Sequence, residues 1–99
     1  MNANIVTIAE NKFALQGLLT FDTVPDVLGD SKSWLKKGAE VTIDLKQVSK
    51  ADSAGLALLI EWLRLARLSD CKVHFINFPP QFKSLIDVTG LQQALAITE

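Results

Sequence analysis

The chain has 99 residues, of which 48% are hydrophobic and 21% charged. These proportions are typical of a folded domain and exclude a disordered segment. Ten Lys and Arg residues against eleven Asp and Glu residues give a net charge of −1, which argues against nucleic acid or anionic lipid as the main partner. The length predicts one domain over residues 1–99.

The sequence offers little material for metal or catalytic chemistry. It contains one cysteine, Cys71, and one histidine, His74, which supply neither a disulfide nor a zinc ligand set. We therefore expect no metal, no cofactor and a reducing compartment. No acid or second histidine stands at relay spacing from His74, so we expect a surface histidine or one in the strand ladder, and no enzyme activity. Cys71 is expected to be a small buried hydrophobic residue.

Export and membrane insertion are also not expected. The N-terminus reads Met-Asn-Ala-Asn-Ile-Val, without the basic and apolar regions of a signal peptide. The longest run of apolar residues and glycine, residues 54–60, is far too short to span a bilayer.

The first half of the chain predicts two strands, a helix and a third strand. The strands Ile5–Ile8 and Phe13–Leu19 flank a tight turn at residues 10–12. Thr23 can cap the helix with its hydroxyl, and Gly38 is expected to end it. The third strand is Val41–Leu45, which alternates apolar and polar residues. The apolar face predicted for the helix consists of Val24, Val27, Leu28, Trp34 and Leu35.

The second half predicts a long apolar helix, a strand and a shorter helix. A short polar loop after Leu45 leads to the helix, which begins at Asp52-Ser53 and ends near Leu68. The strand Lys72–Ile76 follows, and Pro79-Pro80 precedes a helix marked by Phe82, Leu85 and Ile86 that Gly90 is expected to close. A last turn or helix is expected over residues 91–95.

The order β-β-α-β-α-β-α predicts an α/β fold with a mixed, partly parallel central sheet. Each helix between two strands creates a crossover, and crossovers favour parallel neighbours. We expect about four strands with three to four helices packed against them, and a chain of this length favours one helical layer.

The residues Asp52-Ser53-Ala54-Gly55-Leu56, which follow a strand and open a helix, form the most informative motif. Asp and Ser are favoured helix N-caps, so the pair can simply satisfy free N–H groups. The same position also suits an anion, because the helix dipole and free N–H groups favour negative charge there. A phosphate on Ser53 would add about two negative charges to any docked surface.

This motif, in its strand–loop–helix context, resembles the STAS domain of sulfate transporters and anti-sigma-factor antagonists. The resemblance extends over essentially the whole chain, from the strand with Gly17 to Val88-Thr89-Gly90-Leu91. Residues 52–59 and 14–17 look most like the MlaB-type STAS subunit of phospholipid transporters. The resemblance implies a mixed sheet with helices against it. It also implies a cytoplasmic protein that binds the transporter ATPase, and through it the permease, at the inner membrane.

The resemblance also assigns roles to residues of the motif. Ser53 matches the position that is phosphorylated in anti-sigma-factor antagonists and contacts the partner in the transporter subunits. It implies that Asp52 shapes the loop, and Ala54 stands where the phosphorylated proteins commonly have a second serine. Gly55, without a Cβ, is expected to permit close backbone approach. The partner surface is thus predicted to include Asp52, Ser53, Ala54 and Gly55.

The helix after the motif carries more apolar surface than one sheet contact buries. At 100° per residue its apolar arc covers roughly 220°. Flanking helices can cover the excess. Alternatively, Leu58, Trp62 or Leu65 stays partly exposed for a partner, and on this interpretation we add Leu58 and Trp62 to the predicted partner surface. Arg64 and Arg67 then lie at its rim or on a solvated face.

The leading interpretation is a non-catalytic subunit that supports assembly and activity of a phospholipid-transporter ATPase. The alternative is an anti-sigma-factor antagonist that changes partners when an anti-sigma factor kinase phosphorylates Ser53. A third interpretation, a domain that binds a small ligand or lipid, predicts an apolar pocket of ligand size.

Overall fold

The structure, a computed structural model, describes residues 3–89. Residues 90–99, and with them Gly90 and the element predicted over 91–95, lie outside the described residues. The elements in chain order are the strands and helices β1 Ala3–Ala9, β2 Lys12–Leu19, α1 Val24–Ser31, β3 Glu40–Ala51, α2 Ser53–Leu68, β4 Lys72–Ile76 and α3 Pro80–Thr89. A 3₁₀ turn, Lys32–Trp34, extends α1.

The four strands form one mixed sheet in the order β1-β2-β3-β4. β1 and β2 are an antiparallel hairpin, whereas β2, β3 and β4 are parallel. Successive right-handed crossovers in one direction along a sheet place their helices on the same face. Consistent with this, α2 packs against both α1 and α3. The predicted α/β architecture with a mixed four-stranded sheet and three helices is confirmed.

The core lies between the sheet and the helical layer. The inward side chains of β3 (Val41, Ile43 and Leu45) are fully buried and meet Leu59 and Trp62 from α2 within one hydrophobic cluster. Aromatic rings continue through this layer in a chain of neighbouring contacts that joins β2 to α3. The chain consists of Phe13, Trp34, Trp62, Phe75, Phe78 and Phe82.

Strand β3 is longer than the predicted Val41–Leu45, because the expected polar loop is itself strand up to Ala51. Its pairing with β2 shifts register twice, between Ala14 and Gln16 and between Gly17 and Leu18 of β2. Each shift inserts an extra residue into β3, so Val48 is buried three residues after Leu45 rather than two. The two bulges therefore interrupt the alternation of apolar and polar residues from which a strand is predicted.

Helix α1 is shorter than predicted and ends differently. It ends at Ser31, and the tighter 3₁₀ turn then brings Trp34 onto Phe13, with ring centroids 3.9 Å apart. Trp34 is buried, as expected. Gly38 does not end the helix. It lies in the turn before β3 with φ of +80°, and its N–H donates to the Asp70 carbonyl oxygen at 2.9 Å.

Thr23 stands at the N-cap of α1, but its side chain does not cap the helix. Its hydroxyl instead accepts from the Thr20 N–H at 3.0 Å and donates to the Leu18 carbonyl oxygen at 2.7 Å. The predicted capping role is therefore wrong, because the hydroxyl closes the preceding turn. This turn, residues 20–23, lies beside the N-terminus of α2.

Candidate functional site

The junction between β3 and α2 is organised by the Asp52 carboxylate. Oδ1 accepts hydrogen bonds from the backbone N–H groups of Ala54 at 2.9 Å and Gly55 at 3.4 Å. Oδ2 accepts from the Phe21 N–H at 3.2 Å, and the Asp52 N–H donates to the Leu19 carbonyl oxygen at 3.2 Å. One carboxylate thus caps α2 and joins it to the turn after β2.

Gly55 is buried where α2 crosses the end of β2. A Cβ at this position would lie 2.7 Å from the Leu19 carbonyl oxygen and 3.1 Å from the Leu19 Cβ. Real Cβ atoms do not approach a carbonyl oxygen so closely, so only glycine fits without moving the backbone. The predicted close backbone approach at Gly55 is confirmed.

Ser53 is exposed as the first residue of α2. Within residues 3–89 its hydroxyl has no hydrogen-bond partner, since Asp52 already caps the helix. Ala54 beside it is half-buried. The Ser53 hydroxyl is therefore accessible to a partner or to a modifying enzyme at a position whose backbone is fixed.

Leu58 and Trp62 do not lie on the surface, so their predicted place in the partner surface is wrong. Their side chains are 1% and 0% exposed, because α1 and α3 flank α2 and cover its wide apolar arc. The exposed line of α2 runs instead through Ser53, Ala57 and Ile60. We call these three residues the Ser53 surface.

Phe21 is a residue at the site that the sequence interpretation missed. It lies in the turn after β2, and its side chain is 79% exposed. β2 and β3 are parallel, so their carboxyl ends meet at one edge of the sheet. The available signal lay in the topology and not in the local sequence. Once β2 and β3 are taken as parallel neighbours, the turn after β2, which contains Phe21, is expected near Asp52.

Arg64, one of the two arginines considered for the rim, pairs within its own helix. Its Nε lies 2.7 Å from Oε1 of Glu61. Hydrogen bonding to Arg64 lowers the pKa of the Glu61 carboxyl, and the same contact raises the pKa of Arg64. Such exposed pairs contribute little to stability. The opposite charges of Glu61 and Arg64 balance each other on the solvated side of α2.

His74 and Cys71 lie away from Ser53. His74 is exposed and pairs with Glu40 at 2.9 Å, at the end of β3 opposite to α2, so it cannot serve Ser53 as a base. Cys71 lies in the connection between α2 and β4 and is half-buried, not fully buried as expected. Burial and the nearby Asp70 raise the pKa of its thiol.

The described part of the chain contains no His, Cys, Asp and Glu cluster that could hold a metal ion. Two clefts are open and bordered by charged side chains, one by Asp22, Asp26 and Asp30, the other by Glu40, Arg67, Asp70 and Lys72. Neither resembles the apolar pocket that the ligand-binding interpretation requires. Over residues 3–89, no helix has the length and hydropathy to cross a membrane.

The comparison with protein families decides the classification. The family model described as "Mlab, STAS domain" matches residues 7–98. The chain belongs to the STAS-domain family. The match includes the β3–α2 junction and all four strands at least in part.

Curated relatives of this STAS domain include anti-sigma-B factor antagonists. The protein from Staphylococcus epidermidis is 29% identical over 103 aligned positions, which cover all of this chain and 95% of the relative. The protein from Staphylococcus aureus is 27% identical over the same extent. The similarity thus extends over nearly the whole length of these antagonists.

Solved structures show the same fold at low sequence identity. The anti-sigma factor antagonist SpoIIAA in its unphosphorylated form has a TM-score of 0.64 at 12% identity, covering 96% of this chain and 99% of its own. The structure of Mglu has a TM-score of 0.57 at 23% identity, with 79% of this chain matched to 20% of that protein. These likenesses support the STAS fold.

Proposed function

We propose that this STAS domain is a non-catalytic binding module that docks on a protein partner through the Ser53 surface and the Asp52–Gly55 junction. The observation that carries the proposal is an exposed Ser53 hydroxyl on backbone held by Asp52. A binding site with fixed geometry loses little conformational entropy when a partner docks. The module changes the partner's activity only by binding one of its conformations more tightly than another.

The curated relatives favour an anti-sigma factor as the partner. In this form of the proposal, an anti-sigma kinase phosphorylates Ser53 and thereby ends the complex. Asp52 already occupies the N–H groups of Ala54 and Gly55, so a phosphate on Ser53 would project outward next to a carboxylate. It would add about two negative charges to the docking surface, which repels a partner fitted to the neutral hydroxyl.

The ATPase of a phospholipid transporter is the second candidate partner. It is supported by the description of the matching family model and by Ala54 at the position where the phosphorylated proteins commonly have serine. In this form, the STAS domain supports the assembled ATPase and is held at the cytoplasmic side of the inner membrane by that complex. Ser53 then acts as a contact residue without modification.

Replacement of Ser53 by Arg tests the proposed surface. The bulky charge should weaken binding by about 30-fold or more, the loss expected at the centre of an interface. Affinity is measured by calorimetry with the purified anti-sigma factor and, separately, with the purified transporter ATPase of the same organism. Ser33→Arg is the matched control, because Ser33 is also exposed but lies in the 3₁₀ turn after α1. Equal affinity of wild type and Ser53→Arg would refute the surface.

Phosphorylation separates the two candidate partners. Incubation with the anti-sigma factor and ATP, followed by phosphopeptide mapping, should place phosphate on Ser53 if the regulatory form is correct. Binding to the transporter ATPase, with normal affinity for Ser53→Ala and no phosphate on Ser53, supports the transporter form instead. If the STAS domain binds neither protein, the proposed function is wrong.

A further inference from the structure

Phe21 is the most exposed large hydrophobic residue among those whose side chains the structure describes. It is 79% exposed, compared with 39% for Ile60 and 71% for Leu68. Single exposed apolar residues are common on proteins, so exposure alone does not indicate a role. The fixed backbone around Phe21 and the acidic segment that contains it are the two observations that indicate a role.

The backbone on both sides of Phe21 is held by hydrogen bonds. The Thr23 and Val24 N–H groups both donate to the Thr20 carbonyl oxygen at 3.0 Å. The Thr23 hydroxyl, which is buried, bonds to both Thr20 and Leu18. Because hydrogen bonds close this turn, its backbone loses little conformational entropy when a partner binds. An aromatic residue on such a backbone is suited to be an interface contact.

Phe21 is also joined directly to the site that contains Ser53. Its N–H donates to Oδ2 of Asp52, the same carboxylate whose Oδ1 caps α2 at Ala54. The turn and the helix N-terminus are therefore joined through one side chain. Phe21 and Ser53 both lie next to Asp52, one through a hydrogen bond and the other in sequence, so a partner surface centred on Ser53 has Phe21 within its reach.

The segment that contains Phe21 is uniformly acidic. Residues 13–31 include Asp22, Asp26 and Asp30 and no Lys or Arg, and all three carboxylates are exposed. Their spacing of four residues places Asp22, Asp26 and Asp30 along one side of the turn and α1, where they border a cleft against β1. Asp22 follows Phe21 directly, so a complementary surface is basic on the α1 side of the place where it receives the ring.

We propose that Phe21 is an anchor of the partner interface, and that it inserts into an apolar pocket bordered by Lys or Arg residues on the protein partner. The inference rests on the proposed function, because it assigns a second contact to the surface already assigned to Ser53. Asp52 is the positioning residue that holds the anchor beside Ser53. Phe21 contributes the desolvated apolar contact, and Asp22 and Asp26 contribute long-range attraction.

The test compares Phe21→Ala with Leu68→Ala in binding to the purified anti-sigma factor and transporter ATPase. Leu68 is a matched control, since it is similarly exposed but lies at the other end of α2, about 22 Å along the helix axis. Phe21→Ala should weaken binding about 10- to 100-fold, as at interface hot spots, while Leu68→Ala binds as wild type. Both side chains are exposed, so both variants should keep the wild-type melting temperature.

A conservative variant separates a direct contact from a change in the shape of the turn. Phe21→Trp should bind within about threefold of wild type. Its fluorescence should shift to shorter wavelength on binding, because the new indole leaves water, whereas Trp34 and Trp62 are already buried. An unshifted spectrum in the complex would refute the insertion.

The charge is tested by Asp22→Lys, with Glu10→Lys in the turn between β1 and β2 as control. Asp22→Lys should slow association at low salt by about tenfold, and the difference should shrink as salt screens the charges. Equal association rates for the two variants would refute the basic border.

The outcomes distinguish this inference from the proposed function. If Ser53→Arg prevents binding while Phe21→Ala binds as wild type, Phe21 is not an anchor and the Ser53 surface stands. If Phe21→Ala and Leu68→Ala weaken binding equally, the effect is not specific to the turn and the inference is wrong. If neither protein binds the wild type, the proposed function and the anchor are both refuted.

Discussion

At the scale of single residues, Asp52 and Gly55 show how the junction before α2 is built. Asp52 places a carboxylate at a point from which it reaches both the helix and the turn at Phe21. Gly55 lets the helix cross β2 at a distance that no side chain permits. The chemistry of each residue type is suited to its task, so the capping by the Asp52-Ser53 pair and the close approach at Gly55 could be predicted from the motif.

Gly55→Ala and Gly29→Ala should change stability in opposite directions. The Gly55→Ala methyl group collides with the Leu19 carbonyl oxygen, and the resulting strain should lower the free energy of unfolding by about 1–3 kcal/mol. Gly29 lies exposed in α1 with nothing within 4 Å of an added Cβ. There alanine should raise the stability by about 0.5–1 kcal/mol through its helix propensity. Urea denaturation measures both, and a stabilised Gly55→Ala would show that the close approach is wrong.

Phe21 shows what could not be predicted at this scale. The contact between the Phe21 N–H and Asp52 joins residues far apart in the chain, and no local pattern encodes it. The exposure of Leu58 and Trp62 failed as a prediction for the same reason. A helical wheel gives the direction of a side chain, but it does not show that α1 and α3 cover that side of α2.

At the scale of secondary structure, the elements with a regular period were predictable and the irregular ones were not. α2 and β4 have the bounds that their patterns predict. β3 does not, because its two bulges interrupt the alternation. α1 changes to a 3₁₀ turn where Trp34 must reach Phe13. Packing between elements determines where bulges and 3₁₀ turns form, and the periodicity of the sequence does not show that packing.

The contact between α1 and α2 depends on a buried polar pair that provides a further prediction. The Trp62 Nε1–H donates to the Ser31 hydroxyl oxygen at 2.7 Å, and that hydroxyl donates to the Leu28 carbonyl oxygen at 2.9 Å. Both Ser31 and Trp62 are fully buried. Ser31→Ala should leave the indole N–H without a partner and lower the free energy of unfolding by about 1–3 kcal/mol.

Ser33→Ala is the control for this prediction. Ser33 is exposed in the neighbouring 3₁₀ turn, so its loss should change the stability by no more than about 0.5 kcal/mol. The Trp62→Phe variant completes a double-mutant cycle with Ser31→Ala. A coupling energy near zero in that cycle would mean that the hydrogen bond does not stabilise the pair of helices.

At the scale of the whole molecule, the fold separates the core from the proposed binding edge. Helices cover one face of the sheet and bury most of the apolar surface that α2 carries. The apolar residues near Ser53 that remain exposed are few, chiefly Phe21 and Ile60. The high hydrophobic content of the chain is therefore explained mainly by the core, and the proposed docking surface is small.

The classification as a STAS domain fits this division. The motif at residues 52–56 allowed the family to be recognised from the sequence, and the family model confirms it. The choice of partner has a different basis, since the curated relatives and the description of the family model favour different proteins. A fold held in common by proteins of different function positions a site without specifying what binds there.

Hydrogen–deuterium exchange of the complex shows where the partner docks. The bound partner, anti-sigma factor or transporter ATPase, should slow exchange in peptides that cover residues 18–24 and 51–60. Peptides from β4 and from the turn between β1 and β2 should exchange as in the free protein. Slowed exchange confined to β4 or to that turn, with residues 51–60 unchanged, would contradict a docking surface centred on Ser53.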